Sequence, residues 1–196
     1  MSMHLATKKD KNKVVRIIEE SFHGNPSVTW VVRNDSKKDQ RLTILAEYIF
    51  DLGLLKKGVY LSTDETAVAV CYKYNIRVNP FIKLYYQLRL LFKAVGIRKI
   101  VGTLKRQSYF KKHRRGEHNF LYFWVFGALD EGKGHGGAKE LQKDIFQLSK
   151  ESNLPIYLET SVRKNKVVYE RFGFSIYNTW HIEEQGIDLW FMKREP

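Results

Sequence analysis

The residues best suited to chemistry in this sequence form the glycine-rich run GALDEGKGHGGAKEL at positions 127 to 141. Gly132, Gly134 and Gly137 have the spacing G-x-G-x-x-G, after a predicted strand and before a predicted helix. Backbone N–H groups that no side chain obstructs, in front of a helix N-terminus, form a site for a pyrophosphate. The alternative is a glycine-rich turn without a ligand. The predicted cradle comprises Gly132, Lys133, Gly134, His135, Gly136 and Gly137.

Two nucleotide-binding motifs share parts of this pattern. A Rossmann domain places an acidic residue about 20 residues after the glycines, and Glu159 lies near that distance. A Rossmann domain also needs several further strand and helix units, and the segment between Glu159 and Pro196 is too short for them. A P-loop is excluded because no Lys-Ser or Lys-Thr pair follows the glycines. What remains is the feature that both motifs share, a bare backbone ahead of a helix.

A second motif, LETSVRKNKVVYERFGF, follows downstream. It predicts a strand, a loop that contains Asn165, and a short helix that bears Tyr169 and ends at Gly173. Segments 131 to 137 and 165 to 174 together resemble the coenzyme A motifs of the GNAT superfamily of N-acetyltransferases. The resemblance extends over nearly the whole chain to the puromycin N-acetyltransferase branch, through LATKKD, TAVAV, H-x-x-x-E, EGKGHG and DLWFMKREP.

This resemblance implies that acetyl-CoA binds as the acetyl donor, with its pyrophosphate on the backbone amides of residues 132 to 137. The end of the preceding strand would pair with the pantetheine and the thioester carbonyl. Asn165 matches the loop asparagine of the family, and Tyr169 matches its general acid. Two positions depart from the family pattern, because Glu131 replaces the usual Gln or Arg and Ala128 replaces a proline. The strand-end residues are Trp124, Val125 and Phe126.

Acetyl transfer to an amine also requires a proton acceptor. An amine with a pKa of about 10, like that of lysine, is mostly protonated at neutral pH and must lose a proton before it attacks the thioester. Glu159 and His118, each at one end of a predicted strand, are weak candidates for this base, and each has a purely structural alternative. His113 and Glu117 match a recurring feature of the branch, although their spacing also suits a hydrogen-bonded loop pair. The departing thiolate would accept its proton from the phenol of Tyr169.

The sequence predicts no metal or thiol chemistry. Cys71 lies in the apolar run AVAVCY, which predicts a buried thiol without a role. No group of His, Cys, Asp and Glu has the spacing of metal ligands. The start MSMHLATKKDKNK lacks the apolar core of a signal peptide, and the run FLYFWVFGAL is far below the ~20 residues that span a bilayer. We therefore expect a cytoplasmic protein with no metal and no membrane span.

The formal charge of +13 is concentrated in one segment. Residues 66 to 116 contain thirteen Lys and Arg but no Asp or Glu, whereas the rest of the chain has as many acidic as basic residues. Amphipathic spacing within this segment predicts two helices, one at about 81 to 95 and one running from 97 toward His113. We predict a helical insert at residues 76 to 118 in a single domain that covers residues 1 to 196.

The elements that must position these residues alternate along the chain. A strand at 4 to 7, a helix capped by Asp10 and a second helix from Ser36 precede the hairpin formed by GVYLST and TAVAVCYKY. The predicted class is α/β, with a GNAT-type mixed, mostly antiparallel central sheet flanked by helices and an extra basic helical pair between the third and fourth strands. The remaining predicted elements are a strand at 120 to 126, a helix at 136 to 151, the strand PIYLET, a helix at 165 to 172, and strands at 174 to 182 and 187 to 193.

Together these features predict an N-acetyltransferase that transfers an acetyl group from acetyl-CoA to a primary amine of a small molecule, by direct attack in a ternary complex. Residues 20 to 35 and 76 to 118 would form the acceptor pocket, and their basic and aromatic content favours an aromatic or acidic acceptor over a polyamine. The alternatives are a protein or peptide N-acetyltransferase, and a catalytically degenerate GNAT domain that docks on an anionic surface through its basic insert. No nucleic-acid partner is expected, and a homodimer stays open.

Overall fold

The computed structural model describes residues 3–25, 28, 32, 35–95, 100–113, 119–132, 136–183 and 186–196. In these parts of the chain, seven strands form one sheet. The strands are β1 (His4–Leu5), β2 (Val59–Leu61), β3 (Ala67–Lys73), β4 (Leu121–Ala128), β5 (Ile156–Thr160), β6 (Ser175–Ile182) and β7 (Ile187–Arg194). The helices are α1 (Lys11–Phe22), α2 (Lys38–Leu55), α3 (Pro80–Leu90), α4 (Ile100–His113), α5 (Gly137–Ser152) and α6 (Arg163–Arg171).

Three short helical turns complete the described elements. A π-helical turn at Leu91–Val95 continues α3, and 3-10 turns cover Lys8–Asp10 and Asp130–Gly132. Helices α3 and α4 lie between the third and fourth strands, which confirms the predicted helical pair. Helix α2 begins at Lys38, two residues later than the sequence predicted from Ser36.

The sheet has the strand order β1-β2-β3-β4-β5-β7-β6. All neighbouring strands are antiparallel except β4 and β5, which confirms the predicted mixed, mostly antiparallel sheet. The parallel pairing of β4 with β5 is confined to two residue pairs, Leu121 with Ile156 and Tyr122 with Tyr157. Beyond Tyr122, β4 stays paired with β3 on its other side, so the two central strands separate toward their C-terminal ends.

A β-bulge in β4 lies just beyond this separation. Cys71 of β3 is opposite Phe123, and Val70 is opposite Val125, so Trp124 is the extra residue. Because a bulge interrupts the alternation of side chains, Trp124 and Val125 both contact the same core. Bulges bend a strand and often occur beside active sites. The bulge therefore redirects the last residues of β4 at the point where β5 departs.

Each face of the sheet carries its own hydrophobic core. Helices α1, α2 and α3 cover one face, where the core includes Ile17, Phe50 and Val70. Helix α5 covers the other face through Leu141 and Ile145. Residues of β4 alternate between the two cores, and a strand that is buried on both faces is held firmly in place. The end of β4 thus projects from a rigid sheet.

The N-terminal capping differs from the prediction. Asp10 does not cap α1 with its side chain; it accepts hydrogen bonds from the backbone N–H of Thr7 at 2.7 Å and from the Thr7 hydroxyl at 2.9 Å. Thr7 in turn accepts from the N–H of Lys9, so the pair forms a capping box on the 3-10 turn. The backbone hydrogen bond from Thr7 holds the pKa of Asp10 below its usual range. Asp10 therefore stands directly before α1, as the sequence predicted, but its side chain belongs to the capping box of the 3-10 turn.

The turn between α2 and β2 depends on a close backbone contact at Gly58. Its N–H donates to the carbonyl of Gly53 at 3.0 Å, and its own carbonyl accepts from the N–H of Cys71 at 2.8 Å. A Cβ at Gly58 would overlap the backbone carbonyl of Cys71. We expect Gly58→Ala to lower the free energy of unfolding by roughly 1–3 kcal/mol, the usual cost of overpacking. Urea denaturation measures the change.

Gly53→Ala is the matched control for this prediction. A Cβ at Gly53 would meet the side-chain methyl groups of Val59 at 2.7 Å and Val70 at 2.9 Å, which can rotate, and alanine also favours the helix by about 1 kcal/mol. The loss of stability should therefore be smaller at Gly53 than at Gly58. Equal urea midpoints for wild type and Gly58→Ala would contradict the close-contact interpretation.

Candidate active site

A cavity of about 800 Å³ opens where β4 ends. One wall is the end of β4 with Phe126 and Gly127, and the opposite walls are the C-terminal end of α1 and the N-terminal end of α2. Asn165 of α6 also lines it, so the cavity reaches from the α1 side across the gap between β4 and β5. Of the predicted site residues, the structure brings Phe126 and Asn165 together in this lining.

The packing of α1 on β4 depends on the absence of a side chain at Gly127. A Cβ there would meet the Ser21 hydroxyl oxygen at 2.5 Å, and the same hydroxyl donates to the carbonyl of Ala128 at 3.3 Å. Helix α1 can therefore lie directly against the end of the strand. This contact brings the acidic end of α1 to the mouth of the cavity.

The cavity is lined by four carboxylic acids. No Lys or Arg occurs among the lining residues that the structure describes, although the chain carries a formal charge of +13. Glu20 makes an ion pair with Arg16 at 2.8 Å, and the remaining acids come from three different elements. Because clefts with low-dielectric walls focus the field of their charges, this lining attracts cations. The four acids are Glu19, Glu20, Asp39 and Asp130.

This lining differs from the basic and aromatic pocket that the sequence predicted. The predicted wall at residues 20 to 35 contributes Glu20, Ser21 and His23, whereas none of the described residues of the segment 76 to 118 lines the cavity. The described cations of the insert lie outside this lining. The sequence could not show that the lining is acidic rather than basic, because charge along the chain does not reveal which helix ends face the gap in the sheet.

The edge of β4 that faces the gap is available to an extended ligand. Residues 123 to 128 pair with β3 on one side, and in the described parts of the sheet β5 pairs only with the two residues before them. Backbone groups at such an edge form hydrogen bonds with an added extended segment. The resemblance places the pantetheine of acetyl-CoA at Trp124, Val125 and Phe126, and this geometry fits that position.

The glycine turn is described at both of its ends. Gly132 closes the 3-10 turn after β4, and Gly136 precedes α5 with a φ of +88°, a conformation that glycine adopts without strain. Gly137 is the first residue of α5, and a Cβ there would overlap the carboxylate of Asp64. Space beside Gly136, where an added Cβ would meet nothing within 4 Å, is compatible with the phosphate cradle that the sequence predicted, although the Asp64 carboxylate lies on the Gly137 side. Lys133, Gly134 and His135 lie outside the described residues.

The carboxylate of Asp64 stabilises this helix start. It accepts hydrogen bonds from the Ser62 hydroxyl at 2.6 Å and from the backbone N–H and hydroxyl of Thr66 at 3.1 and 2.9 Å. The hydrogen bond from Ser62, followed by those from Thr66, lowers the pKa of Asp64, so it carries a negative charge at neutral pH. A negative charge near a helix N-terminus is favourable, and this carboxylate lies beside Gly137 at the start of α5.

Glu131 has a cationic partner that the sequence analysis missed. Its exposed carboxylate lies 3.3 Å from the guanidinium of Arg16. Arg16 is on α1, one helical turn before Glu20. Arg16 bonds to both acids, and its hydrogen bond with Glu20 raises its pKa most. The charge that replaces the usual Gln or Arg is therefore offset by an arginine from α1. The spacing of Arg16 and Glu20 on α1 predicts their ion pair, but the contact with Glu131 joins residues far apart in the chain.

The base candidates are placed less favourably. Glu159 accepts a hydrogen bond at 2.8 Å from the hydroxyl of Tyr122, beside the register where β4 and β5 separate, and it does not line the cavity. His113 is bonded through Nδ1 to the carbonyl of Tyr109 at 2.9 Å, and its ring stacks on Tyr109. His118 and Glu117 lie outside the described residues. Glu159 and His118 therefore remain predictions.

Tyr169, the predicted general acid, lies on α6 with Asn165 of the same motif. Asn165 lies in the first turn of α6 rather than in the preceding loop, because that helix begins two residues earlier, at Arg163. Tyr169 packs edge-to-face on Phe174 with 5.4 Å between ring centroids. Burial raises the pKa of Tyr169 to about 12, so the phenol keeps its proton at neutral pH. Gly173 ends the helix with a φ of +84°, as the sequence predicted.

Other reactive groups are placed outside the cavity. Cys71 is fully buried, and burial raises the pKa of its thiol. Among the described residues, no three His, Cys, Asp or Glu side chains are grouped so that they could hold a metal ion. In the same parts of the chain, no helix has the length and apolar character needed to cross a membrane.

Comparisons with known proteins agree with this architecture. No protein-family model matches the chain. An uncharacterized N-acetyltransferase of Schizosaccharomyces pombe is 25% identical over 203 residues, which cover 96% of this chain and 81% of the relative. A Corynebacterium glutamicum structure, described as a histone acetyltransferase HPA2 and related acetyltransferase, is similar with a TM-score of 0.69 at 18% identity, covering 100% of this chain and 96% of the other. Arylalkylamine N-acetyltransferase 2 of Aedes aegypti superposes with a TM-score of 0.68 at 16% identity, covering 98% and 97%.

Glu131, the acidic residue before the glycines, is the basis of a prediction about acetyl-CoA affinity. We expect Glu131→Gln to tighten acetyl-CoA binding about twofold to fivefold, because it removes a negative charge near the predicted pyrophosphate site and releases Arg16 from its ion pair. Isothermal titration calorimetry with acetyl-CoA measures the affinity. Glu151→Gln, at the far end of α5, makes the same change in net charge and should leave the affinity unchanged.

A second variant separates charge from loop structure. In the Glu131→Gln background, Arg16→Gln should reverse the gain, because the released guanidinium is then absent. Weaker binding in the single variant Glu131→Gln would show instead that Glu131 holds the turn in shape.

The sheet opens between its fourth and fifth strands, with a glycine turn and helix directly after the fourth, and the solved acetyltransferases superpose on nearly the whole chain. The chain therefore has the GNAT acetyltransferase fold, and its relatives support a GNAT-type N-acetyltransferase.

Proposed function

We propose that this protein is an N-acetyltransferase that transfers an acetyl group from acetyl-CoA to a primary amine of a small molecule, in a ternary complex. The observation that carries the proposal is the acid-lined cavity at the end of β4. An amine acceptor is a cation in water, and this cavity attracts cations to the strand end where the GNAT resemblance implies the thioester. The puromycin N-acetyltransferase branch remains a hypothesis about the nearest relatives.

The chain provides a binding site for acetyl-CoA in two parts. The free edge of β4 at Trp124, Val125 and Phe126 would pair with the pantetheine, and the backbone N–H groups of residues 132 to 137 would hold the pyrophosphate. Asn165 faces the same cavity from α6. When bound, acetyl-CoA supplies an acetyl group activated as a thioester.

The carboxylates of the cavity act on the acceptor. They attract its ammonium group and accept the proton that must leave before the nitrogen can attack, directly or through water. The nitrogen then forms a bond to the carbonyl carbon and loses its second proton to water, while the bond from that carbon to sulfur breaks. Glu159, bonded to Tyr122 at the separation of β4 and β5, is the other carboxylate proposed for this proton.

The leaving sulfur requires a proton in return. A thiolate like that of cysteine has a pKa of about 8.5, and the phenol of Tyr169, like any tyrosine with a pKa of about 10 or above, is protonated at neutral pH; burial raises its pKa to about 12. Tyr169 donates its proton to the sulfur and regains one from solvent. The products are the acetylated amine and coenzyme A, and no covalent bond to the enzyme is needed.

Two acceptor classes are suggested by the similar structures. The mosquito enzyme is named for arylalkylamines, which combine an ammonium group with an aromatic ring. The Corynebacterium structure is named for histone acetylation, which makes a lysine side chain of a protein the alternative acceptor. An acceptor screen with acetyl-CoA should include arylalkylamines, polyamines and lysine-containing peptides, with release of the coenzyme thiol as the readout. Acetylation of peptides alone would overturn the small-molecule proposal.

The charge of the cavity can be tested with two substitutions. We expect the double variant Glu19→Gln with Asp39→Asn to lower kcat/KM for a cationic amine on the order of tenfold, because the local concentration of cations falls. Binding of acetyl-CoA should be unchanged. An aniline-type arylamine, which is uncharged at neutral pH, should be acetylated equally by wild type and variant. An equal loss for charged and uncharged acceptors would contradict electrostatic attraction.

The role of Tyr169 is tested by Tyr169→Phe, which keeps the ring and removes the hydroxyl. We expect the variant to fold and bind acetyl-CoA almost normally, while kcat falls within the ~10²–10⁴-fold range of a lost general acid. Wild-type kcat should show no loss from Tyr169 ionisation until the pH approaches 12. Unchanged kcat in the variant would remove Tyr169 from the mechanism.

Alkaline unfolding supplies an independent readout for the same variant. An unfolded tyrosine ionises near pH 10, whereas folded Tyr169 ionises near 12, so its contribution to stability is present below pH 10 and is lost as the pH rises toward 12. Tyr169→Phe should therefore lose less stability than wild type between these two values. Urea denaturation at neutral pH checks that the variant is otherwise folded.

A further inference from the structure

Helix α3 and the π-helical turn that continues it carry an apolar stripe that faces solvent. Phe81 is 80% exposed, Tyr85 63% and Phe92 65%. With Leu84 and Leu88, which are also exposed, these residues recur at intervals of three and four, so they lie on one side of the helix. Large side chains exposed together in this way mark a binding surface rather than ordinary surface composition.

The orientation of α3 is set by contacts on its opposite side. Leu90 and Ala94 are buried in the core against α2, and Arg89 makes an ion pair with Glu47 of that helix. At the start of the helix, the side chain of Asn79 accepts from the N–H of Phe81 at 2.9 Å. The helix is therefore held at both ends of its buried side, and the stripe cannot turn inward.

The described charged residues on this helix, on its continuation and directly before it are all cationic. Lys83 and Lys93 are exposed on α3 and its continuation, and Arg77 is exposed just before the helix. On the next helix, Lys105 and Lys112 are exposed as well. The whole segment 66 to 116 contains thirteen Lys and Arg and no Asp or Glu. An occupant of this surface must therefore offer apolar volume together with negative charge.

We propose that α3 is a docking surface for an anionic membrane. Phe81, Tyr85 and Phe92 would enter the boundary between headgroups and acyl chains, while Lys83 and Lys93 contact acidic headgroups. A stripe on a single convex helix fits a deformable lipid interface, where amphipathic helices with cationic flanks bind. Duplex nucleic acid would satisfy the cations but leave the apolar rings in water, and the aliphatic side chains of Leu84 and Leu88 could not stack on the bases of a single strand. The inference does not depend on the acetyl-transfer proposal.

The test is flotation of the full chain with vesicles of phosphatidylcholine mixed with phosphatidylserine, and with vesicles of phosphatidylcholine alone. We expect binding to the mixed vesicles, at least tenfold less binding to the neutral ones, and weaker binding as salt rises. The triple variant Phe81→Ser, Tyr85→Ser and Phe92→Ser should lose binding at least tenfold, as should the double variant Lys83→Gln with Lys93→Gln.

Leu5→Ser is the matched control, because Leu5 is 53% exposed on β1, away from the helical insert. It should bind vesicles as wild type does, and urea denaturation should show that all variants are folded. Equal binding by wild type and the triple variant, or no binding to the mixed vesicles, would overturn the proposal. So would tighter binding to duplex DNA than to vesicles, or a dimer in sedimentation that the triple variant abolishes.

Discussion

The separation of β4 from β5 is the constraint on which the rest of the structure depends. Two residue pairs, at Leu121 and Tyr122 of β4, join that strand to β5, and β4 then continues along β3 alone. Backbone N–H and C=O groups require hydrogen-bond partners, so a buried strand edge that leaves its neighbour must be completed by water or by a ligand. The bulge at Trp124 and the small residue Gly127 shape that edge, and the glycine turn follows directly after it. The cavity, the predicted coenzyme site and the base candidate Glu159 all adjoin this separation.

Charge is divided between two regions of the molecule. The cavity takes its carboxylates from the ends of α1 and α2 and from the turn after β4, whereas the insert contains the clustered cations. An acidic lining favours cationic ligands, and salt screens exposed charges that lie more than about 10 Å away. Arg16 of α1 makes ion pairs with Glu20 and Glu131, which neutralise part of the acidic charge near the predicted phosphate cradle.

The insert is anchored to the domain by a partly buried lysine. Lys56, just after α2, donates to the carbonyls of Tyr74 and Ile76 at 3.4 and 2.9 Å and lies 4.6 Å from the ring centroid of Tyr72. Burial, with Lys83 as a second cause, lowers its pKa to about 8. This contact fixes the chain between β3 and α3, so the exposed stripe of α3 extends from a firmly attached segment. A fixed helix presents its apolar side chains at less cost in conformational entropy than a loop does.

Local patterns in the sequence were sufficient for much of this protein. Apolar periodicity and turn residues predicted the α/β class, the helical pair between the third and fourth strands, and the helix that ends at Gly173, because individual helices and strands depend on neighbouring residues. The glycine turn and the second motif also carried the GNAT resemblance. Only the tertiary structure decided that Glu19, Asp39 and Asp130 share one cavity and that Arg16 compensates Glu131. It also decided that the apolar stripe from Phe81 on α3 to Phe92 on the following π-helical turn remains exposed. Those features join or separate residues from distant parts of the chain, and periodicity shows that a helix has an apolar side but not whether another element packs against it.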